Sequence, residues 1–199
     1  RYEVEGAWGE TDITISGFDL SVGQRVVLSE SLAHEMWDGI QENSKLAPFL
    51  DGQQQGLVAS ASVATVNASL TGVAWMAMNS TIDAEEVWPK IGSKESGIRY
   101  AHLYESNLFS TQKHVAVNEV LADELDLAVG DSLDIGWYVT EENKRTRVES
   151  SLKVFSIVAN EGQGASAGTQ APAFFTDLAT AQTLQRQNGS LNSLYYAVD

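Results

Sequence analysis

Two stretches of the chain alternate between apolar and polar residues. Ile13 and Ile15 alternate with polar neighbours, and residues 133–139 place Leu, Ile, Trp and Val at every second position. Alternation of this kind predicts half-buried β-strands. Longer apolar segments predict further strands at residues 57–66, 72–78, 115–117, 152–159, 173–176 and 191–198, and the run at 25–28 predicts a strand or a lead-in to one.

Apolar residues spaced by four positions predict a helix. Leu32, Met36 and Ile40 fall on one helical face, and Ser29 or Ser31 is placed to cap the first turn. Two further helices are predicted, over residues 118–127 behind the cap Asn118 and over residues 177–187 behind the cap Asp177. Residues 83–88 predict a shorter helix.

Polar and glycine-containing segments separate these elements. Pro48 and residues 51–56 predict a polar loop after the first helix, and residues 67–71 and 141–145 predict turns. The glycines between residues 162 and 168 predict a flexible loop. Strands outnumber helices in a mixed order, which indicates an α+β fold.

Charge and composition exclude several function classes. The net charge of −15 disfavours contact with phosphate backbones and with anionic lipid surfaces, so we expect no nucleic-acid partner. The absence of cysteine excludes disulfides and thiol chemistry. The sequence holds no apolar run long enough to span a bilayer and opens without a signal peptide, so we expect a segment excised from a larger protein.

From Val115 onward the order of segments matches a known pattern. Residues 115–119 (Val-Ala-Val-Asn-Glu) lead to Val129-Gly130-Asp131, then to residues 152–158, and the segment ends with residues 173–182 and 194–198. This pattern resembles the core extracytoplasmic domain of FtsX/MacB-type ABC transporter permeases. The glycine suits a tight turn, and the aspartate can bond its own backbone there.

The resemblance implies an α+β fold with two lobes. A porter-like α/β lobe would comprise residues 1–81 and 173–199, and a smaller β-rich lobe, residues 82–172, would be inserted in the middle. The boundaries would fall near Ile82 and Pro172, and the two chain ends would lie close together on one face.

The resemblance also implies a function and a location. Such a domain lies on the extracytoplasmic face of the cell membrane and transmits ATP-driven conformational change to an exterior substrate or partner. Its partners would be the membrane helices of the same permease chain, a separate ATP-binding cassette subunit and a second permease chain, as a homodimer or heterodimer. Neither enzymatic activity nor a cofactor is expected.

Candidate chemical groups do not form a recognisable catalytic or metal motif. His34, His102 and His114 lack metal-ligand spacing. The acidic cluster at residues 123–134 lacks the spacing of a calcium loop, and the glycine loop at 162–168 lacks the lysine of a phosphate-binding motif. We therefore predict no metal site and no catalytic residues.

Aromatic residues suggest an alternative function. Trp37 and Trp137 fall on predicted core faces, whereas Trp8 and Trp88 lie near predicted loops and are candidates for exposed interaction residues. An exterior ligand- or peptide-binding module without a transport role is therefore the alternative, and a secreted hydrolase with an unrecognised site is a third hypothesis. The triplets that begin at Asn67, Asn79 and Asn188 are glycosylation sequons, relevant only in a glycosylating organism.

Overall fold

Strands dominate over helices in the computed structural model, which describes residues 13–16, 18–19, 24–25, 27–79, 111–141, 144–158 and 171–198. The described elements are β1 (Ile13–Ser16), β2 (Phe18–Asp19), β3 (Gln24–Arg25), β4 (Leu28–Ser29), α1 (Glu30–Glu42), a 3-10 turn (Ala47–Phe49), β5 (Leu50–Ala64), β6 (Ser69–Met78), β7 (His114–Asn118), α2 (Glu119–Leu125), β8 (Ser132–Glu141), β9 (Lys144–Val158), β10 (Ala173–Asp177), α3 (Leu178–Gln185), β11 (Ser190–Leu191) and β12 (Ser193–Val198). None of these helices is long and apolar enough to cross a membrane.

Each described helix begins behind a polar cap. The side-chain oxygens of Ser29, Asn118 and Asp177 each accept a hydrogen bond from a backbone amide in the first turn of α1, α2 and α3. Such bonds satisfy amides that have no partner within the helix. The caps predicted from the sequence are confirmed, and for α1 the structure selects Ser29.

Two of the three predicted stripe residues of α1, Met36 and Ile40, pack against the last strands of the chain, whereas Leu32 is 44% exposed. Ala33 is fully buried, and the Trp37 ring lies 6.2 Å from the ring of Tyr196, measured between centroids. The same cluster contains Leu28, Met36, Ile40, Leu50, Leu191 and Leu194. Because these contacts join residues far apart in the chain, they fix α1 to the sheet through β12.

One sheet of eight strands organises the described residues, in the order β1-β12-β5-β6-β10-β7-β9-β8. The long strand β5 pairs with β6 along one edge. Along its other edge it pairs with β12 over residues 50–56 and with β8 over residues 62–64. The strands β5, β6, β10, β7, β9 and β8 therefore form a closed ring, which β12 and β1 extend from the first half of β5.

The ring surrounds the largest apolar core. Trp75 is fully buried at its centre, with ring centroids 5.4 Å from Trp137 and 5.3 Å from Phe174, and its indole nitrogen donates to Thr176 Oγ1 at 2.8 Å. The helices α2 and α3 contribute Leu121, Leu125, Leu178 and Ala181 to the same core. Burial of this much aromatic surface is the main stabilising contribution that can be assigned to named residues.

The predicted loop over residues 51–56 is wrong, because these residues form the first part of β5. Gln53, Gln54 and Gln55 are all buried there, at 6%, 0% and 1% exposure. Their polarity indicated a loop, but β5 has neighbours on both edges and the glutamine side chains find polar partners within the fold. Tertiary contacts therefore override the local preference.

The α+β class predicted from the sequence agrees with the observed mixture of a large sheet and few helices. The division into residues 1–81 with 173–199 and residues 82–172 stays a prediction. In the described part of the chain, β10 pairs with β6 on one side and with β7 on the other, so strands from both predicted segments share one sheet. The helix predicted at 83–88 lies outside the described residues.

The glycine–aspartate turn that supported the resemblance has the expected geometry. Gly130 adopts φ +99°, and Asp131 Oδ2 accepts from the backbone amide of Ala128 at 2.8 Å. The turn also contacts β9, because the Gly130 amide donates to the Val154 carbonyl oxygen at 2.7 Å and the Val154 amide donates to Asp131 O at 2.9 Å. It thereby connects α2 to the sheet.

We expect Gly130→Ala to lower the free energy of unfolding by about 1–2 kcal/mol. A Cβ at this position has no heavy atom within 4 Å, so the cost comes from the positive φ alone. Gly39→Ala is the matched control. Gly39 lies within α1 and also has nothing within 4 Å, so alanine should stabilise the protein by up to about 1 kcal/mol. Urea unfolding measures both changes, and equal effects would contradict the prediction.

Candidate functional site

A cavity of about 530 Å³ lies over the seam at which β8 closes against β5. Its walls come from four strands that are neighbours in the order β6, β5, β8 and β9. Asp134 and Gly136 line it, and these alternate along β8 with the core residues Leu133, Ile135 and Trp137. The alternation places Asp134 and Gly136 on the face of β8 directed away from the core.

Glycine at position 136 leaves space for two polar side chains. A Cβ at Gly136 would lie 2.8 Å from Ser62 Oγ and 3.1 Å from a terminal nitrogen of the Arg147 guanidinium. Ser62 Oγ also donates to the Gly136 carbonyl oxygen at 3.0 Å. The Arg147 guanidinium therefore lies close over the β8 backbone, where it forms an ion pair with Glu149 at 2.9 Å.

The polar lining of the cavity consists mainly of hydroxyl groups. Asp134, Arg147 and Glu149 are its charged residues, so its formal net charge is −1. Five side chains supply hydroxyls: Ser62, Ser69, Thr71, Ser150 and Ser151. Val63, Ala64, Leu70 and Ile135 also border the cavity, but the side chains of Val63 and Ile135 are buried in the core and Leu70 packs against it. The site thus offers many hydrogen-bond donors and acceptors but little net charge.

The hairpin of β8 and β9 also has a basic segment beside the cavity. Residues 144–153 contain four of the twelve Lys and Arg of the chain and one acidic residue, Glu149. The Arg145 guanidinium carbon lies 4.1 Å from the centroid of the Tyr138 ring, which is 56% exposed. This stacking and the pair of Arg147 with Glu149 hold two cations in place on the outer face of the hairpin.

The three buried glutamines of β5 form a polar cluster away from the cavity. Gln53 Nε2 donates to the Tyr196 hydroxyl at 2.8 Å, and Gln54 Nε2 donates to Asn79 O at 3.2 Å. Asn79 Nδ2 donates to Gln55 Oε1 at 3.4 Å. Burial raises the pKa of the Tyr196 phenol, and the hydrogen bond from Gln53 opposes part of that rise. These bonds connect the first half of β5 to β12 and to Asn79, the residue after β6, while Gln55 Nε2 is buried without a hydrogen-bond partner.

Asn192 occupies the interval between the two partners of β5. Its Oδ1 accepts from the Val58 amide at 2.8 Å, and its Nδ2 donates to the Val58 carbonyl oxygen at 2.8 Å. β12 pairs with β5 up to Gly56, and β8 pairs with β5 from Ser62 onward. Between them, the Asn192 side-chain amide bonds to the Val58 backbone as a neighbouring strand would. This bond pair keeps the β5 edge satisfied beside the seam.

The histidines and carboxylates considered from the sequence do not converge. His34 is exposed on α1, and His114 contacts Thr111 through its Nδ1 at 2.6 Å. His102 lies outside the described residues. The acidic side chains Asp123, Glu124, Asp126, Asp131 and Asp134 are all exposed. Within the described ranges no group of three or more His, Asp or Glu residues is arranged to hold a metal ion.

The tryptophans divide between core positions and positions outside the described residues. Trp137 is 4% exposed and Trp37 is half-buried against Tyr196, which confirms both predicted packing roles. Trp8 and Trp88 lie outside the described residues, so their proposed exposure stays a prediction. Of the sequons, Asn67 and Asn188 are exposed and Asn79 is half-buried.

Sequence reasoning did not find the cavity. Its lining residues come from positions 62–71 and 134–151, which share no motif and meet only because β5 pairs with β8. One available signal was the alternation along β8, which predicts that Asp134 and Gly136 face away from the core. The pairing of β8 with β5 was not available from any local pattern.

Two solved structures share the fold of the chain. The first is the periplasmic region of MacB from Actinobacillus actinomycetemcomitans, with a TM-score of 0.57 and 10% sequence identity, over 98% of this chain and 78% of that one. The second is the extracellular domain of the noncanonic ABC-type transporter YknZ from Gram-positive bacteria. It has a TM-score of 0.52 and 7% identity, over 94% of this chain and 82% of that one.

These similarities confirm, at the level of the fold, the resemblance to extracytoplasmic domains of ABC transporter permeases. No protein-family model matches the sequence, and no curated protein matches it either. The identities are low, so the comparisons concern the architecture of the chain and not its individual residues.

Proposed function

We propose that the chain is the extracytoplasmic domain of an ABC transporter permease, and that it transmits ATP-driven conformational change to a substrate or partner outside the membrane. The observation that supports this most is the fold shared over 98% of the chain with the periplasmic region of MacB.

The pairing of the first and last described strands suits a domain that receives motion from neighbouring chain segments. β1 and β12 are antiparallel, with Ile13 opposite Tyr196 and Ser16 opposite Ser193. Residues 13 and 196 therefore lie side by side. β12 in turn pairs with β5, whose second half belongs to the closed ring. Displacement of this edge would reach the core through a continuous sheet.

The proposal includes a location and a set of partners. The domain would lie on the exterior side of the cell membrane, attached to membrane helices of the same permease chain. A separate ATP-binding subunit would supply the energy, and a second permease chain would complete the transporter.

The cavity over the β5–β8 seam favours a second candidate function. An exterior module that binds a ligand without transporting it would need a concave site with several convergent polar groups, and the hydroxyl-lined cavity meets that description. The two functions are separable, because only the first requires movement that depends on nucleotide.

Spin-label distance measurements on the full-length gene product test the transport proposal. The 199 residues contain no cysteine, so Val66→Cys, at a position 99% exposed on the β5–β6 turn, gives the single labelling site within them. Any cysteine elsewhere in the full-length product is first replaced by serine. In membranes that also contain the ATP-binding subunit encoded beside it, ATP should change the distance between the two Val66→Cys labels of a permease pair. A gene without flanking membrane helices, or a distance that nucleotide leaves unchanged, would reject the proposal.

A double-labelled chain provides the control. Cysteines at Val66, in the β5–β6 turn, and at Glu35, on α1, are both at exposed positions and report the distance inside one domain. That distance should stay constant with ATP if the domain moves as a unit. An ATP-binding subunit that cannot bind nucleotide should abolish the change between chains.

A further inference from the structure

We infer that the cavity over the β5–β8 seam is a binding site for an uncharged, hydroxyl-rich ligand, the chemistry of a short oligosaccharide. The inference does not depend on the proposed transport role, because it follows from the cavity itself. Its volume of about 530 Å³ falls within the range of about 300–1,000 Å³ that is usual for small-molecule sites.

The hydrogen-bonding groups of the lining match a ligand with many hydroxyls. Each of the five serine and threonine hydroxyls can both donate and accept, as each sugar hydroxyl can. The Asp134 and Glu149 carboxylates accept, and the Arg147 guanidinium donates. All three kinds of partner that a polyol needs are therefore present on facing walls.

Charge disfavours anionic ligands. Two carboxylates and one guanidinium give the lining a formal charge of −1, and the chain carries −15, so an anion such as phosphate gains no net attraction from the lining despite the basic segment beside it. Arg147, the cation of the lining, is already paired with Glu149 at 2.9 Å. A neutral polyol can bond to this pair without separating it, whereas a carboxylate or phosphate would have to compete with Glu149.

The close packing at Gly136 shows how the site is shaped. Any larger residue there would displace Ser62 Oγ or the Arg147 guanidinium, which lie within 3.1 Å of the position of a Cβ. The absence of a side chain at residue 136 thus leaves room for the hydroxyl and the guanidinium above the β8 backbone.

Backbone amide NMR shifts, recorded during titration of the purified domain, test the inference. The probes are maltotriose, cellotriose and triacetylchitotriose at millimolar concentrations, with inorganic phosphate as the anionic comparison. At least one trisaccharide should shift amides in residues 62–71 and 134–151, and phosphate should not. Absence of shifts with all three sugars, shifts confined to other regions, or a response to phosphate at the cavity would overturn the inference.

A pair of matched variants separates specific binding from general surface contact. Thr71→Trp places a large ring at an exposed position of the lining and should weaken trisaccharide binding by about tenfold or more. Thr140→Trp makes the same change at an exposed position of β8 outside the lining, and should leave binding unchanged. If Thr71→Trp fails to fold, Ser151→Trp blocks the opposite wall. Equal binding by the blocking and control variants would also overturn the inference.

Discussion

Replacing Trp75 with alanine is expected to lower the free energy of unfolding by about 3–5 kcal/mol. The side chain is fully buried and contacts the rings of Trp137 and Phe174. Its removal leaves a large void inside a closed ring of strands, which cannot collapse easily because each strand is paired on both sides. Thr176 Oγ1 also loses the hydrogen bond from the indole nitrogen.

Urea unfolding followed by circular dichroism measures this loss, provided that the slope of the transition is unchanged. Trp75→Phe keeps an aromatic ring and removes the hydrogen bond, so its effect should be smaller. Phe49→Ala is the control for loss of an aromatic side chain, since Phe49 is 59% exposed, and should change stability by less than about 0.5 kcal/mol. A loss below about 1 kcal/mol for Trp75→Ala would show that Trp75 is not at the centre of the core.

Asn118→Ala should have the second-largest effect, with a loss of about 2–4 kcal/mol. Asn118 Oδ1 accepts from the Leu121 amide and from the Ala173 amide, both at 3.0 Å, and Nδ2 donates to Ala171 O at 2.8 Å. One fully buried side chain therefore caps α2 and joins β7 to the segment that leads into β10. Alanine would leave the Leu121 and Ala173 amides and the Ala171 carbonyl oxygen without their hydrogen bonds to this side chain.

The cap of α1 provides the comparison for this substitution. Ser29 is exposed and caps through one bond, to the Leu32 amide, so Ser29→Ala should cost only about 1 kcal/mol. Thermal and urea unfolding of the two variants under the same conditions give the difference. Equal losses would mean that the bonds of Asn118 to residues 171 and 173 contribute nothing beyond capping.

Local chemistry predicted much of the fold correctly. The caps Asn118 and Asp177, the alternation along β8 and the turn at Gly130 each follow from residues close together in sequence, and each is present in the structure. In these cases the same residue that favours the local element also packs or bonds in the folded chain. Elements of this kind can be predicted from the sequence because their local and tertiary preferences agree.

The errors and omissions arise where distant segments decide the outcome. Gln53, Gln54 and Gln55 indicated a loop, and only the partners Tyr196 and Asn79 explain why they are buried in a strand. The cavity depends on the pairing of residues 62–64 with residues 134–136, about seventy positions away. No local pattern encodes that pairing, so neither the closure of the ring nor the site over it could be predicted.

The antiparallel pair of β1 and β12 determines how the domain would respond to mechanical load. Residues 13 and 196 lie at the same end of this pair, so a force that pulls them apart opens the ladder one rung at a time, as a zipper opens. A force that moves both residues in the same direction strains no single residue pair of β1 and β12 more than the others. It therefore displaces the sheet as a whole. The same two strands would thus separate readily when residues 13 and 196 are pulled apart and stay paired when both are moved together.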